Sequence, residues 1–581
     1  MFKKTDLMVA FLLILLFVMA TTSMLQKSIT NDEHAFLPSG YTYLKTGQLS
    51  IMGHTPLIHI MASAPLMFLD LKIPPNMEEY YVQNNYKEYS NEFLFNYNKD
   101  KLDQIIFWGR IPMVLISMLL GFYVFRWAKE VYGVKAGLFA LFLYSLSPNI
   151  LAYSRLAVTD LGFGCFMFIS IYYFWRFINN KKPYDLVLTG VMFGLTQVSK
   201  FSGIYLVPLF LIFISLSVFN REKKFKEIGI MLYSLFTILV IGLIVINVSY
   251  GFQGSFKSLG ENLREDKSEY FDHEVFNGET IVSKIPTDNK FVRIASTFIV
   301  EEIPIIIPYP YLKSFVSIVR QTQEAKSITY YPFFIGKNTQ ESWYSYLVVF
   351  LIKTPIPTTI LLLLSLIFFF RIKSKRGLDE LFLIVPILFI LVYFSFFHPI
   401  NARLRYVLAI YPLLFVFISK IVNLKFLKLE WRRVFNFLII ILSVGYLLSS
   451  LMIYPHYLAY FNEFVGGPSE GYNYLVESGL DWGQDLRLLG EYIEEEGIED
   501  INLIYFGWTN PEVYNIGYSY LKYFGDNSLD EEDCTPKNGV YAISATYLQG
   551  IYLENNQCYS WLKEYEPIDI VGYSILIYDA K

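Results

Sequence analysis

The chain has 581 residues, of which 54% are hydrophobic, 18% aromatic and only 17% charged, with a formal net charge of −4. That is too apolar for a soluble protein of this size, and it points to no nucleic-acid partner. A polytopic α-helical membrane protein remains.

The first apolar stretch, residues 7–25, follows Lys3 and Lys4. A basic start of this kind also opens signal peptides, but the run is too long and no clear small-x-small cleavage site follows, so a retained first span is expected. Directly after it stands Asn31-Asp32-Glu33-His34. Two acids where a helix leaves the bilayer are costly unless cations or hydroxyls partner them. Segment 26–104 then carries apolar stretches at 41–46 and 58–69, suited to lying along the membrane surface.

Further stretches of spanning length lie at 105–125, 136–152, 161–177, 201–219, 228–248, 346–370, 381–397, 406–421 and 434–453, with a shorter one at 184–198. Lysine and arginine decide how these are threaded, because cytoplasmic loops carry the positive excess. Six clusters are present: Lys3/Lys4, Arg126/Lys129/Lys135, Arg176/Lys181/Lys182, Arg221/Lys223/Lys224/Lys226, Arg371/Lys373/Lys375/Arg376 and Lys425/Lys428/Arg432/Arg433. All six fall on one side if 184–219 crosses twice, bending near Lys200. About eleven transmembrane helices follow, with the amino terminus cytoplasmic and the carboxyl terminus outside, in a plasma membrane. A second large outer segment, 251–342, contains the apolar stretch 298–319, which glutamates and prolines mark as a surface or re-entrant element.

The division expected is a membrane catalytic domain, 1–453, followed by an acidic extracytoplasmic domain, 454–581. From His456 to Lys581 there are 22 acids and 5 bases. Helix at 483–496, strand at 501–506, a turn at 510–512, strand at 540–546, helix at 560–564 and strand at 570–578 predict a small α/β fold. Cys534 and Cys558 lie in this tail and are a possible disulfide in an oxidising compartment, whereas Cys165 sits in a span.

With this threading, Asp32, Glu33, Arg110, Asp160, Lys200, Lys353, Arg403 and Arg405 share one depth at the outer edge. Such a ring suits a lipid-linked phosphate whose tail stays among apolar helices while cations hold its oxygens. An acid such as Asp32 would take the proton of an attacking hydroxyl, and the phosphate would leave from the opposite face, with inversion at the sugar carbon. His34 beside the acids allows a divalent cation, although none is required where cations already neutralise phosphate. Trp482 and the many tyrosines read chiefly as an interfacial belt. A lipid or anion transporter, or a membrane-anchored scaffold, are the rival classes. A transporter would place its ionisable groups at mid-membrane in repeated halves, and a scaffold would need no acid–base ring.

Asp32-Glu33, Gly40-Tyr41-Thr42-Tyr43-Leu44-Lys45-Thr46-Gly47 and Gly53-His54-Thr55-Pro56-Leu57 resemble the first outer loop of the GT-C glycosyltransferases. Gly109-Arg110-Ile111-Pro112, Arg155-Leu156-Ala157-Val158-Thr159-Asp160, Lys200-Phe201-Ser202-Gly203, Arg403-Leu404-Arg405-Tyr406 and Gly479-Leu480-Asp481-Trp482-Gly483-Gln484-Asp485-Leu486 extend the likeness, nearest to the protein O-mannosyltransferase and aminoarabinose transferase branch. The resemblance implies a polyprenyl-phosphate sugar donor, a hydroxyl acceptor and an outer-face active site. It implies Asp32 as base, Glu33 as acceptor or structural partner, Asp160 as a second acid, and Arg110, Lys200, Arg403 and Arg405 as phosphate ligands. Lys353 joins them by position. The tail lacks the β-trefoil of eukaryotic mannosyltransferases, and Thr55 and His59 stand where similar sequences often carry proline and lysine.

Overall fold

The computed structural model describes residues 4–47, 55–75, 77–82, 85–218, 224–266, 300, 302–327, 333–338, 343–372, 378–397, 404–426, 428–523, 534–553 and 555–580. It is mostly helical. Among the described residues six helices are long and apolar enough to cross a membrane: Lys4–Met24, Lys99–Tyr132, Thr159–Asn180, Phe201–Val218, Lys226–Ser249 and Leu429–Met452. Two bent pairs raise the number to eight if each is one span: Val134–Ser145 with Pro148–Ser154, bent by 62°, and Ser345–Lys353 with Ile356–Ile367, bent by 116°. The chain is therefore a multi-pass membrane protein.

Helix occupies every one of the eleven apolar stretches, but Pro183–Ser199, Leu381–Phe396 and Ile410–Asn423 are shorter than the six long helices and two stretches are broken by bends. The physical reason is local. Pro148 and Pro355 lack the N–H that would continue the preceding helix, so those segments turn instead of running straight. Pro183–Ser199 ends at Lys200, whose backbone is extended (φ −163°, ψ 139°) before a 3-10 turn at Phe201–Tyr205.

Between the first two spans the chain forms the acid helix, Asn31–Thr46, and a second short helix, Pro56–Ser63. Two glycines let these elements close on their neighbours. A methyl group on Gly40 would stand 2.3 Å from the His59 carbonyl oxygen, and one on Gly109 would stand 2.6 Å from Leu37 Cδ2. Gly109 thus brings the acid helix against helix Leu102–Tyr132 beside Arg110. Farther along, helix Tyr309–Ser327 packs its Tyr311 ring on Phe201 (5.1 Å).

The tail folds around a five-stranded mixed sheet in the order Tyr520–Tyr523, Asn502–Tyr505, Gly539–Ser544, Ile575–Ala580, Asp569–Val571. The first three strands are parallel and the last two run antiparallel to their neighbours. Helix Leu486–Glu496 lies against it through Leu486, Leu489 and Ile493. The expected single strand at 570–578 is a hairpin, because Gly572 and Tyr573 both take positive φ (62° and 65°) and turn the chain. The helix expected from 483 starts at Leu486, because Gly483 is left-handed at φ 79°. Strand Tyr520–Tyr523 has no counterpart in the sequence reading. Cys534 and Cys558 are disulfide-bonded, and Cys165 is buried and free.

Candidate active site

The acid helix begins after Thr30, which is extended at ψ 163°. Its third residue, Glu33, reaches back to accept from Thr30 N–H and from Thr30 Oγ1, both at 3.0 Å. The Glu33 carboxylate also accepts from Arg110 Nε (2.8 Å) and Nη2 (2.7 Å) and from the Ala157 N–H (2.8 Å). Arg110 gives its remaining donors to the carbonyls of Met24, Lys27 and Ser28. A guanidinium has five N–H groups, and here all five are taken. Burial by itself would raise the Glu33 carboxyl, but the Arg110 charge and the hydrogen bonds of Arg110, Ala157 and Thr30 outweigh it and hold the group below the usual carboxylate range.

Of the two roles expected for Glu33 the geometry favours structural partner, and Arg110 departs from the phosphate role expected of it. Arg110 is not open to phosphate and Glu33 is not open to an acceptor, because both side chains are fully buried and satisfied by each other and by backbone. The pair ties the acid helix to two spans and to the turn before Asp160. Lys353 is corrected in the same way. It is buried, donates to the carbonyls of Leu458 (2.8 Å) and Gly479 (2.7 Å), and lies over the Phe461 ring.

A second constellation forms on the next face of the acid helix. Arg405, from the turn Leu404–Val407, donates from Nη2 to Asp32 Oδ2 (2.7 Å) and from Nε to Asp160 Oδ2 (3.0 Å). Lys200 Nζ donates to Asp160 Oδ1 (2.7 Å) and lies over the Tyr406 ring (4.8 Å). Four charged groups from four separate segments therefore form one chain, Asp32, Arg405, Asp160, Lys200. Exposure sorts their capacities. The Asp160 side chain is 0% exposed with both oxygens occupied, while Asp32, Lys200 and Arg405 keep 28%, 20% and 16%. Among the described residues, Asp32 Oδ1 and Arg405 Nη1 have no hydrogen-bond partner, and the Lys200 ammonium uses one of three protons. Arg403 lies outside the described residues.

Of the groups that brace this site, the sequence places Arg155 at the outer edge without a role and Trp482 in an interfacial belt, and it leaves Lys27 unread. Arg155 donates from Nη1 to the Ser23 and Pro455 carbonyls and stacks on Tyr457. Lys27 pairs with Asp485 and stands 2.6 Å from His456 Nδ1. Burial pushes Lys27 down to about 8 and His456 down to about 4. Trp482 of the tail lies under Arg405, with the guanidinium carbon 4.3 Å from its ring centroid. A usable signal was Lys27 itself, a lysine a few residues from the acids, on the side that the charge rule expects to be poor in cations. His34 turns to Asn91, with Nε2 at 2.8 Å from Oδ1, and packs against Phe95 and Trp508. Among the described residues no group of three His, Cys, Asp or Glu side chains gathers to hold a metal.

Residues 103–247 match the family model described as dolichyl-phosphate-mannose-protein mannosyltransferase. No curated protein matches by sequence. Among solved structures, ArnT from Cupriavidus metallidurans bound to undecaprenyl phosphate is similar at 11% identity, covering 98% of this chain and 97% of that one with a TM-score of 0.47. The archaeal oligosaccharyltransferase AglB from Archaeoglobus fulgidus, in complex with an inhibitory peptide and a dolichol-phosphate, is similar at 14% identity, covering 76% of this chain and 55% of that one with a TM-score of 0.45. The family match covers residues 103–247 alone, and over them this multi-pass membrane chain is similar to the protein mannosyltransferases.

Proposed function

We propose that the chain transfers a sugar from a polyprenyl-phosphate donor to a hydroxyl acceptor at the outer membrane face, with inversion. The observation that carries this reading is the open ion-pair chain from Asp32 to Lys200, in which a carboxylate oxygen and cationic donors stay free beside one another. The donor's phosphate binds Arg405 Nη1 and Lys200, with Arg403, two residues upstream of Arg405, as a further cation expected from the sequence. Asp160 holds Arg405 and Lys200 in place. The acceptor oxygen forms its bond to the anomeric carbon as its proton passes to Asp32 Oδ1. The bond from that carbon to the phosphate oxygen breaks, and the polyprenyl phosphate leaves with the electron pair under the two cations.

The same reading assigns eleven crossings, a cytoplasmic amino terminus in a plasma membrane, and a division into a catalytic membrane part, 1–453, and an extracytoplasmic tail, 454–581. The mannosyltransferase match over 103–247 favours a monophosphate-linked hexose. The test is to incubate the purified protein with a panel of polyprenyl-phosphate sugars and measure release of polyprenyl phosphate, with water standing in for a missing acceptor. One donor consumed is expected; a folded protein that consumes none overturns the proposal.

A further inference from the structure

The stretch 478–487 of the tail is sewn to the bundle around the acid helix. Ser28 N–H donates to the Gln484 carbonyl (2.9 Å) and Asn31 N–H to the Trp482 carbonyl (3.2 Å), so the tail runs beside the residues leading into Asp32. Lys27 pairs with Asp485, Arg487 pairs with Asp103, and Arg487 Nη1 donates to the Leu25 carbonyl (2.8 Å). On the other flank Lys353 donates to the Gly479 carbonyl and Tyr153 Oη to the Ser478 carbonyl (3.2 Å).

With its backbone fixed on both sides, Trp482 presents its ring to Arg405. The tryptophan is 3% exposed, and Tyr153 packs edge-on against it at 6.4 Å. Asp32 and Asp160 fix the guanidinium within its own plane through Nη2 and Nε. Neither carboxylate stops the group from rotating out of that plane. The indole face does, because a cation 4.3 Å from the ring centroid is drawn onto the face. Arg405 Nη1, which neither carboxylate engages, is then held in the plane that the indole sets.

We infer that Trp482 is the positioning residue for the donor phosphate: it sets the plane of Arg405, so the tail segment 478–487 belongs to the active centre. The inference rests on the transferase reading and deepens it, since it places part of the donor site on an element about 450 residues from the catalytic acid.

The test compares Trp482→Ala and Trp482→Phe with the native protein, alongside Trp561→Ala, which removes a tail tryptophan whose ring packs on Tyr541. Two quantities are read: kcat and donor KM with the donor that the native protein consumes, and affinity for polyprenyl phosphate in detergent micelles. Trp482→Ala should lower kcat/KM about 10- to 30-fold, the size of a desolvated cation–π contact, with weaker polyprenyl phosphate binding. Trp482→Phe, which restores an aromatic face, should recover most of that loss, and Trp561→Ala should stay near native. Equal losses in Trp482→Ala and Trp561→Ala would reduce the tail to general support and overturn the inference. So would native kinetics and binding in Trp482→Ala. If the native protein consumes no donor yet binds polyprenyl phosphate in a Trp482-dependent way, the transferase reading fails and the positioning role stands.

Discussion

Glu33 and Arg110 have no exposed side-chain surface and every donor of the guanidinium is occupied, whereas the neighbouring Asp32 keeps 28% of its side chain exposed and shares Arg405 with Asp160. Both are acid–arginine pairs, and the two acids are adjacent in sequence. Successive positions on a helix point about 100° apart, so one acid faces the packed interior and the other the open site. A buried pair with every lone pair and proton used holds elements together. A half-open pair holds itself in place and still has atoms to offer a substrate. The comparison teaches that the number of unused donors and acceptors, more than the presence of a charge pair, separates a pair spent on the scaffold from one with atoms left for a ligand.

The sharpest way to break this contrast is to exchange the acids one at a time. Asp32→Asn should lower turnover by about three orders of magnitude, the scale of a lost general base, while melting temperature and polyprenyl phosphate binding stay near native. Turnover within tenfold of native would remove Asp32 from the chemistry. Arg110→Ala should do the reverse of this. Removing one partner of a buried pair leaves the other charge unpaired, at a cost of about 3 to 5 kcal/mol. Expected is a large drop in melting temperature and yield, with the surviving folded fraction retaining donor turnover. A stable Arg110→Ala protein that has lost donor affinity would return Arg110 to the phosphate.

How far the sequence carried these assignments depends on what each one required. That Asp32, Asp160, Lys200 and Arg405 come together was legible, because each falls next to a span end and the charge rule expects those ends on one side. Facing was not. Nothing local to Gly109-Arg110 says that the guanidinium turns to Glu33; that outcome needs Leu37 to close on Gly109 and the Met24, Lys27 and Ser28 carbonyls to converge on it. Lys353 reads as a membrane-edge cation until the tail's Gly479 carbonyl reaches it. The Trp482 contact is similarly invisible, since an indole under a guanidinium about 80 residues away leaves no periodic trace. Helix positions were readable from composition, but the bends at Pro148 and Pro355 make the number of crossings a property of packing.

The tail offers a smaller test of the same contrast, between fixed support and working site. The disulfide joins positions 24 apart in sequence. Closing a loop of that length constrains the unfolded chain by about 3 kcal/mol. Cys534→Ser with Cys558→Ser should therefore lower the melting temperature of the tail while leaving kcat unchanged below that temperature. A matching loss of kcat at low temperature would mean that the disulfide shapes the site rather than the support.

The smallest effect concerns pH, and two groups near the tail's junction with the bundle pull in opposite directions. Burial pushes the Asp481 carboxyl up to about 7, against hydrogen bonds from Thr546 and the Gly483 N–H, whereas burial pushes His456 down to about 4. Between about pH 4 and 7 the folded protein keeps an Asp481 proton that the unfolded chain has released, so this group makes stability fall as pH rises. Between about 6.5 and 4 the unfolded chain takes a His456 proton that the folded protein refuses, so this group makes stability fall as pH drops. His34, pushed down to about 3 by burial, adds to the second slope. Two histidine slopes against one Asp481 slope leave the native protein losing stability as pH drops across the overlap, by about 2 kcal/mol from pH 6.5 to 4.5. Asp481→Asn removes the opposing slope and keeps the acceptor oxygen for Thr546, so its melting temperature should fall more steeply than the native protein's from pH 6.5 to 4.5, by roughly 2 kcal/mol of stability beyond the native loss. Parallel melting curves for native and variant protein over that range would mean that Asp481 is charged in the fold, and that its contacts with Thr546 and Gly483 outweigh its burial.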